Sequence, residues 1–180
     1  VTLFGLGGNG YINQLPKILS LLDSSGIDVS SIEDLRQPTN LSFAKVTESY
    51  WADQGKTWPK GHKDAGQPII LRDYQYDVVN KFLENPQALQ EVATGAGKTI
   101  TTATLSHLCE PYGRTMVVVP NKSLVVQTEE DYRNLGLDVG VYFGDRKELN
   151  KTHTICTWQS LNVLDKKIYD EDTLSLRSEE

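Results

Sequence analysis

The sequence predicts an α/β fold in which helices cover a mostly parallel sheet. From about residue 68, short apolar runs alternate with segments whose apolar residues recur every three or four positions, the pattern of strands alternating with helices. Met116–Val119 is a continuous apolar run ended by Pro120, which is typical of a strand covered on both faces. A glycine-rich stretch, Thr94–Thr99, lies between an apolar run and a helical segment.

Length and composition restrict the class of protein. The chain has 180 residues, enough for one ordinary domain or for a domain with a small companion, and it is 38% hydrophobic and 23% charged. No apolar run approaches the roughly 18 residues that span a bilayer, so we expect no membrane partner. The formal net charge of −6 argues against a surface coated with positive charge, although a local basic strip could still contact nucleic acid.

Residues 1–36 are predicted to form a small α/β unit. It begins with a strand at Val1–Phe4, continues through a glycine-rich turn into a helix that stops at Gly26, and ends with a short strand at Ile27–Val29. The predicted helix carries four apolar residues on one face: Leu15, Ile18, Leu19 and Leu22. Residues 37–66 are polar and lack apolar periodicity, which indicates a linker or a long connection.

Residues 67–164 carry the alternating pattern, and residues 165–180 form an acidic tail. The predicted helices and strands are, in chain order, a helix over 71–84, a strand at Leu89–Ala93, a helix at Lys98–Cys109, a strand at Met116–Val119, a helix at Ser123–Leu135, and strands at Val139–Phe143 and Thr154–Thr157. Ser123 is a natural N-cap for the third helix. The order favours a sheet flanked by helices.

The stretch Thr94–Thr99 reads "TGAGKT", a phosphate-binding loop (P-loop) leading from a strand into a helix. Gly95 and Gly97 let the main chain curl, so that the amides of residues 95–99, Ala96 among them, face inward at a helix N-terminus. Lys98 would contact the β- and γ-phosphates of a nucleotide, and the Thr99 hydroxyl would bind Mg²⁺. The strict P-loop pattern has Gly where this chain has Val92.

"ATGAGKT" and an upstream "LRDYQYDVV" at 71–79 together resemble superfamily 2 helicases and translocases of the DEAD/DEAH type, in which the leading Gly is often absent. The resemblance extends to DNA helicases of T-even bacteriophages. It implies that Gln75 hydrogen-bonds the adenine edge, which suits an amide that can donate and accept, and that Arg72 packs on the base or holds the loop.

Three further segments resemble the parts of that superfamily that contact DNA. "VVVPNKSLVVQ" at 117–127 places Asn121, Lys122 and Ser123 where phosphates are bound. "HTICTWQSL" at 153–161 implies a backbone contact for Thr157, whereas Trp158 is expected in the core rather than stacked on a base. In "YFGDRKE" at 142–148, Arg146 is a candidate DNA contact, with a solvated turn as the alternative.

The resemblance implies the front part of an ATP-driven DNA helicase that remodels branched DNA in repair and recombination. The fold would be a small N-terminal α/β accessory domain followed by a partial RecA-like motor lobe. ATP and Mg²⁺ would be the cofactors, branched or single-stranded DNA the partner, and a second RecA-like lobe would belong to the intact protein. Lone Cys109 and Cys156 favour a reducing cytoplasm, that of the host if the gene is from a phage.

ATP hydrolysis in this superfamily needs an Asp-Glu-x-His or Asp-Glu-x-Asp motif at the end of a buried strand. Asp170-Glu171 lacks a preceding apolar strand and a following His, so it is interpreted as part of the solvated tail. We therefore expect this chain to be inactive alone.

Other functions remain open at this point. "GLGGNG" at 5–10 fits a dinucleotide-binding pattern, but Pro16 delays the helix that should hold the pyrophosphate, so a tight turn is favoured. "GKTWPKGHK" at 55–63 interleaves basic and aromatic residues, as in a non-catalytic nucleic-acid-binding module, or forms a solvated linker. A restriction-type DNA translocase subunit of type I or III and a small-molecule kinase share the phosphate loop; Gln75 argues against the kinase.

Overall fold

A computed structural model of the chain describes residues 14–30, 41–86 and 88–163. The chain divides into two compact units, Val1–Asn40 and Leu41–Glu180. The predicted strand at Val1–Phe4, the 5–10 turn and the acidic tail lie outside the described residues. The division of the chain into four segments stays a prediction.

In the first unit, the predicted helix is present as α1, Leu15–Ser24. Pro16 lies in its first turn, where the missing N–H costs nothing. Gly26 follows the helix with φ of 74°, a left-handed conformation that glycine adopts without strain, so the predicted stop is confirmed. The predicted strand at Ile27–Val29 is wrong: these residues have no regular secondary structure, and the Ile27 N–H donates back to the Leu22 carbonyl of the helix at 3.0 Å.

The second unit contains, among the described residues, a four-stranded sheet, three complete α-helices and the start of a further helix at residues 158–163. The helices are α2 (Asp73–Glu84), α3 (Lys98–Cys109) and α4 (Lys122–Asn134). The strands are β1 (Thr115–Val119), β2 (Val139–Phe143), β3 (Arg146–Lys147) and β4 (His153–Thr157). Their spatial order is β1-β4-β2-β3; β4 is parallel to both of its neighbours, and only β3 is antiparallel. The predicted α/β fold with a mostly parallel sheet is confirmed.

One predicted strand, Leu89–Ala93, is absent. These residues form a coil, and Leu89 is fully exposed. β1 pairs with β4 on one side, and none of the described strands pairs with its other edge. A strand is stabilised mainly by its cross-strand neighbours, so an apolar run without a neighbour does not become one.

The core of the second unit includes residues from upstream of the alternating pattern. Val46 and Trp51 are fully buried among side chains of α2, α3, α4 and the sheet. The Val46 N–H donates to Asn80 Oδ1 and the Val46 carbonyl accepts from Asn80 Nδ2, both at 2.9 Å. The Trp51 Nε1–H donates to Thr104 Oγ1 at 2.9 Å. Residues 46–51 therefore pack as part of the second unit, although they lie in the range 37–66 that was predicted to be a linker.

No helix in the described ranges is long and apolar enough to cross a bilayer.

Candidate functional site

The phosphate loop connects the coil after α2 to the first turn of α3. Gly95 and Gly97 have φ values of 78° and 80°, in the left-handed region that other residues enter only with strain. Gly97 is the N-cap of α3, so Lys98 and Thr99 begin the helix. The two glycines therefore lie where the main chain must turn sharply, as the motif predicts.

The start of α3 offers main-chain donors. The first N–H groups of a helix have no acceptor within it. Within the described residues, the N–H groups of Gly95, Lys98 and Thr99 donate to no protein acceptor. Such a set of amides at the positive end of a helix suits a phosphate group. The loop therefore presents main-chain donors of the kind that bind phosphate groups, although the Ala96 N–H donates to the Ala93 carbonyl at 3.3 Å.

Lys98 lies against the loop rather than extending into solvent. Its Nζ donates to the carbonyls of Val92 and Ala93, each at 2.7 Å. A neutral carbonyl is a weaker acceptor for an ammonium group than an anionic oxygen. The side chain is thus held over the main-chain curl and can exchange these carbonyls for phosphate oxygens.

Gln75 connects α2 with the phosphate loop. Its side chain is buried; Nε2–H donates to the Ala96 carbonyl and Oε1 accepts the Arg72 N–H, each at 2.9 Å. Both ends of the amide are therefore bonded to the protein. Reading an adenine edge, the role that the resemblance implies, would require the bond to Ala96 to open.

An open cavity of about 470 Å³ lies beside the loop, within the size range of small-molecule sites. Its lining residues are Arg72, Tyr74, Val78, Glu91, Val92, Ala93, Thr94, Gly95 and Ala96. The Arg72 Nη1–H donates to the Tyr74 hydroxyl at 2.7 Å, which joins a planar cation to an aromatic ring at the cavity wall. The structure thus adds Tyr74, Val78 and Glu91 to the site. Tyr74 and Val78 lie in α2 close to Gln75 in sequence, which was the available signal for them.

A second group of predicted residues lies where β1 and β4 end. The strands are parallel and in register, with Val119 opposite Thr157, so the segments that follow them are neighbours. Asn121, Lys122 and Ser123 are exposed there. The N-cap of α4 is Asn121, whose Oδ1 accepts the Leu124 N–H at 2.9 Å; the prediction of Ser123 as N-cap is wrong by two residues.

Thr157 is buried and Trp158 is exposed, the reverse of what a DNA contact for Thr157 and a core position for Trp158 would require. Thr157 is buried, and its hydroxyl is 3.0 Å from Ser160 Oγ, within the turn that starts residues 158–163 as a helix. Trp158 is 57% exposed, so the expectation that it lies in the core is wrong. All five residues of β4 are buried, the strand ends at Thr157, and the helical turn that follows leaves the next residue exposed.

Arg146 is held in an ion cluster at the β3 edge of the sheet, away from β1. Its guanidinium donates to both carboxylate oxygens of Glu129 at 2.7 Å and to Glu148 Oε1 at 2.8 and 3.0 Å. Arg133 adds a second ion pair to Glu129 at 2.6 Å. The hydrogen bonds from Arg146 lower the pKa of the buried Glu129 carboxyl. Arg146 therefore joins α4 to β3, whereas Lys122 remains exposed.

Comparison with known proteins identifies the family. A family model described as the type III restriction enzyme res subunit matches residues 68–177, more than half of the chain. The chain belongs to this family. The matched range of the res-subunit family covers α2, the phosphate loop, the other two helices and the whole sheet.

Two curated relatives are putative DNA 3′–5′ helicases named Rad25. The chain is 31% identical to the Haloarcula marismortui protein over 108 residues, 57% of this chain and 17% of that protein. It is 30% identical to the Halobacterium salinarum protein over 110 residues, 56% of this chain and 18% of that protein. The chain thus spans less than a fifth of the length of the curated relatives it matches.

Solved structures of the UvsW helicase from bacteriophage T4 share the fold. One has a TM-score of 0.60 at 16% identity and covers 89% of this chain and 58% of that chain. A second has a TM-score of 0.61 at the same identity and covers 89% of this chain and 33% of that chain. Together with the family match and the Rad25 relatives, these results confirm the resemblance to superfamily 2 helicases.

Proposed function

We propose that this chain is the nucleotide-binding part of an ATP-dependent DNA helicase or translocase that remodels branched DNA. The observation that carries the proposal is the phosphate loop, in which two left-handed glycines present the first amides of α3 beneath the Lys98 ammonium group. This arrangement binds a triphosphate through charge and main-chain donors together.

The nucleotide would extend from the loop into the adjoining cavity. The donors from residues 94–99 and Lys98 would hold the phosphates, and the Thr99 hydroxyl would bind Mg²⁺, which neutralises charge that develops on the phosphates. Arg72 and Tyr74 would pack against the base. Gln75 would read the adenine edge after releasing Ala96, so that base recognition and loop conformation change together.

The DNA backbone would cross the ends of β1 and β4. Asn121, Lys122 and Ser123 present an amide, an ammonium group and a hydroxyl to solvent at a helix N-terminus. Thr157 and Arg146, the other proposed contacts, are bonded to Ser160 and to Glu129 and Glu148. They would contact DNA only by sharing or exchanging these bonds, so we assign the larger part of DNA affinity to residues 121–123.

Hydrolysis needs groups that we do not assign to this chain. The sequence contains Asp170-Glu171 without the strand and the His of the motif, and a second motor lobe would supply the arginine that stabilises the transition state. We therefore propose that the 180-residue chain binds ATP without turning it over, and that hydrolysis, unwinding and branch remodelling belong to the intact protein.

Calorimetric titration with ATP and Mg²⁺ tests the nucleotide site. Lys98→Ala removes charge-assisted bonds to phosphate, each of which contributes about 1.5–3 kcal/mol, so affinity should fall by about 10- to 150-fold. Phosphate release by the unmodified chain should stay at the background rate.

Lys17→Ala, which removes an exposed lysine from α1, is the matched control and should bind ATP as the unmodified chain does. Equal affinity in Lys98→Ala and Lys17→Ala would contradict the nucleotide site. Steady phosphate release would contradict only the inactivity of the isolated chain.

A second candidate function is a restriction-type DNA translocase subunit, favoured by the match to the type III restriction enzyme res subunit. Both functions share this nucleotide site. Strand-displacement and triplex-displacement assays on the intact protein separate them, because a translocase moves along duplex DNA without separating its strands.

A further inference from the structure

We propose that Trp158 is a stacking platform for a nucleobase of single-stranded DNA at the carboxyl ends of β1 and β4. This inference rests on the proposed function and extends it, because it adds a base contact to a surface otherwise made of phosphate donors. It predicts that this surface binds single-stranded rather than fully paired DNA, because only an unpaired base exposes its face to an aromatic ring.

Trp158 is exposed in a way that the two other tryptophans are not. Trp51 is fully buried and donates to Thr104, and Trp58 is partly buried and stacks on His62 at 4.0 Å with an angle of 10° between the rings. Trp158 has 57% of its surface exposed and makes no ring contact with another aromatic side chain in the described residues. Its ring is therefore available to a ligand.

The register of the sheet places Trp158 beside the phosphate donors. Val119 and Thr157 are paired across β1 and β4, and neighbouring strands lie about 4.8 Å apart. Asn121 and Lys122 follow β1, and Trp158 follows β4 directly, so the segments that carry the ring and the donors leave two neighbouring strands at the same end of the sheet. A nucleotide needs this combination, because its base is flat and apolar and its phosphate is anionic.

The residues around Trp158 favour a nucleic acid over a protein partner. Asn121, Lys122, Ser123 and Gln159 are all exposed, so the ring has polar neighbours in sequence and across the register. Protein interfaces combine a desolvated apolar centre with depletion of charge. An isolated aromatic ring next to basic and polar donors is the arrangement found in grooves for single strands.

The support beneath the ring is ordered. Every residue of β4 is buried, and the Thr157 hydroxyl bonds to Ser160 Oγ at 3.0 Å across the first turn that carries Trp158. A side chain mounted on a fixed turn loses little conformational freedom when it binds. The stacking contact would therefore contribute most of its free energy to affinity.

Fluorescence titration of the 180-residue chain with an oligothymidylate, at several salt concentrations, tests the inference. Trp158→Ala should weaken binding by about 5- to 150-fold, the range for the loss of one base stack. It should leave the dependence of affinity on salt unchanged, because no phosphate contact is removed. Trp158→Phe keeps a ring and should retain most of the affinity.

Two comparison variants separate stacking from charge and from loss of apolar surface. Lys122→Ala should reduce the slope of log affinity against log salt by about 0.7, the value for one phosphate contact on a single strand. Leu149→Ala removes an exposed apolar side chain elsewhere and should bind like the unmodified chain. Thermal unfolding of each variant checks that the fold is kept; if Trp158→Ala unfolds, Trp158→Phe and the quenching of Trp158 fluorescence by DNA carry the test.

Each outcome has one meaning. Absence of salt-dependent DNA binding by the unmodified chain would contradict the DNA-binding part of the proposed function. Binding that is equal in the unmodified chain and in Trp158→Ala, with unchanged quenching, would overturn only the stacking role. A Trp158→Ala variant that loses self-association in sedimentation but keeps its DNA affinity would also overturn it, in favour of a protein contact.

Discussion

A methyl group added at Gly97 would contact Gln75, whose side-chain amide donates a hydrogen bond to the phosphate loop. A Cβ at this position overlaps Gln75 Nε2, and φ of 80° is itself unfavourable for any other residue. Gly95 has almost the same φ, 78°, but nothing lies within 4 Å of its Cβ position. Substitutions at the two glycines therefore distinguish the effect of main-chain strain alone from the effect of strain with a steric clash.

We expect Gly97→Ala to lose ATP affinity by tenfold or more, because the added Cβ displaces the Gln75 amide from the position beside the loop in which it would read the adenine edge. Gly95→Ala, the matched control, adds only the left-handed strain of about 1–2 kcal/mol. Calorimetric titration and chemical denaturation of both variants measure the difference. Equal ATP affinity of the two variants would show that the position of Gln75 beside Gly97 does not contribute to ATP binding.

At the scale of elements, one ion cluster fixes α4 to the β2–β3 hairpin. Glu129 on α4 is buried, and Arg146 holds both of its oxygens while also bonding to Glu148. The hydrogen bonds from Arg146 keep the Glu129 pKa below its ordinary value near 4.5. The folded state therefore binds the ionised carboxylate more strongly than the protonated acid, and part of the stability depends on pH.

Glu129→Gln should lower the free energy of unfolding by about 1–3 kcal/mol near neutral pH, a modest value because both arginines reach solvent. The difference in the free energy of unfolding between the unmodified chain and the variant should have its full size above the unfolded-state pKa, about 4.5. It should shrink towards zero as the pH falls through the lower folded-state pKa. Urea denaturation between pH 3 and pH 7 measures this, with the exposed neighbour Glu130→Gln as control. A difference that does not change with pH would exclude the carboxylate's charge as its source.

The elements also show what the sequence could and could not predict. All four helices, α1 to α4, and three strands of the sheet were predictable, because their apolar periodicity is local. The N-cap of α4 was predicted two residues too late. Leu89–Ala93 has the composition of a strand and remains coil, since a strand requires a pairing partner that local sequence does not specify. The phosphate loop was predictable from its glycines, whereas the bonds of Gln75 and Arg146 depend on tertiary contacts.

Trp158 shows the same limit for a single side chain. Large aromatic residues are buried on average, so a position next to a buried strand favours the core. Where the strand ends and the chain turns is fixed by Thr157 and Ser160, and this turn exposes the ring. Exposure, which supports a role in binding, could not be read from residue type.

At the scale of the whole molecule, the compact unit that begins at Leu41 reaches upstream of the alternating pattern. Val46 and Trp51 fill its core and bond to Asn80 and Thr104. Composition could not show this, because residues 37–66 are mostly polar and two buried side chains are enough to fix the segment.

A chain shortened to begin at Leu41 should therefore keep a cooperative thermal transition, whereas one that begins at Gln67 should lose it. The shorter chain lacks Val46 and Trp51, and loss of a buried tryptophan alone costs about 3–5 kcal/mol, a large part of the stability of a typical domain. Circular dichroism melting of the two chains compares them. Equal transitions would support the predicted lobe boundary at residue 67 instead.

The edge of β1 that faces away from β4 has no partner among the described strands, which bears on how this polypeptide would behave in concentrated solution. Met116 and Val118 are each about half exposed on that strand. An edge of this kind is a template onto which another extended segment can add, and charged or bulged residues that would deter such growth are lacking between Thr115 and Val119. Any segment that pairs there lengthens the sheet and shields the rim from neighbouring molecules, so solubility and completion of the sheet depend on the same five residues.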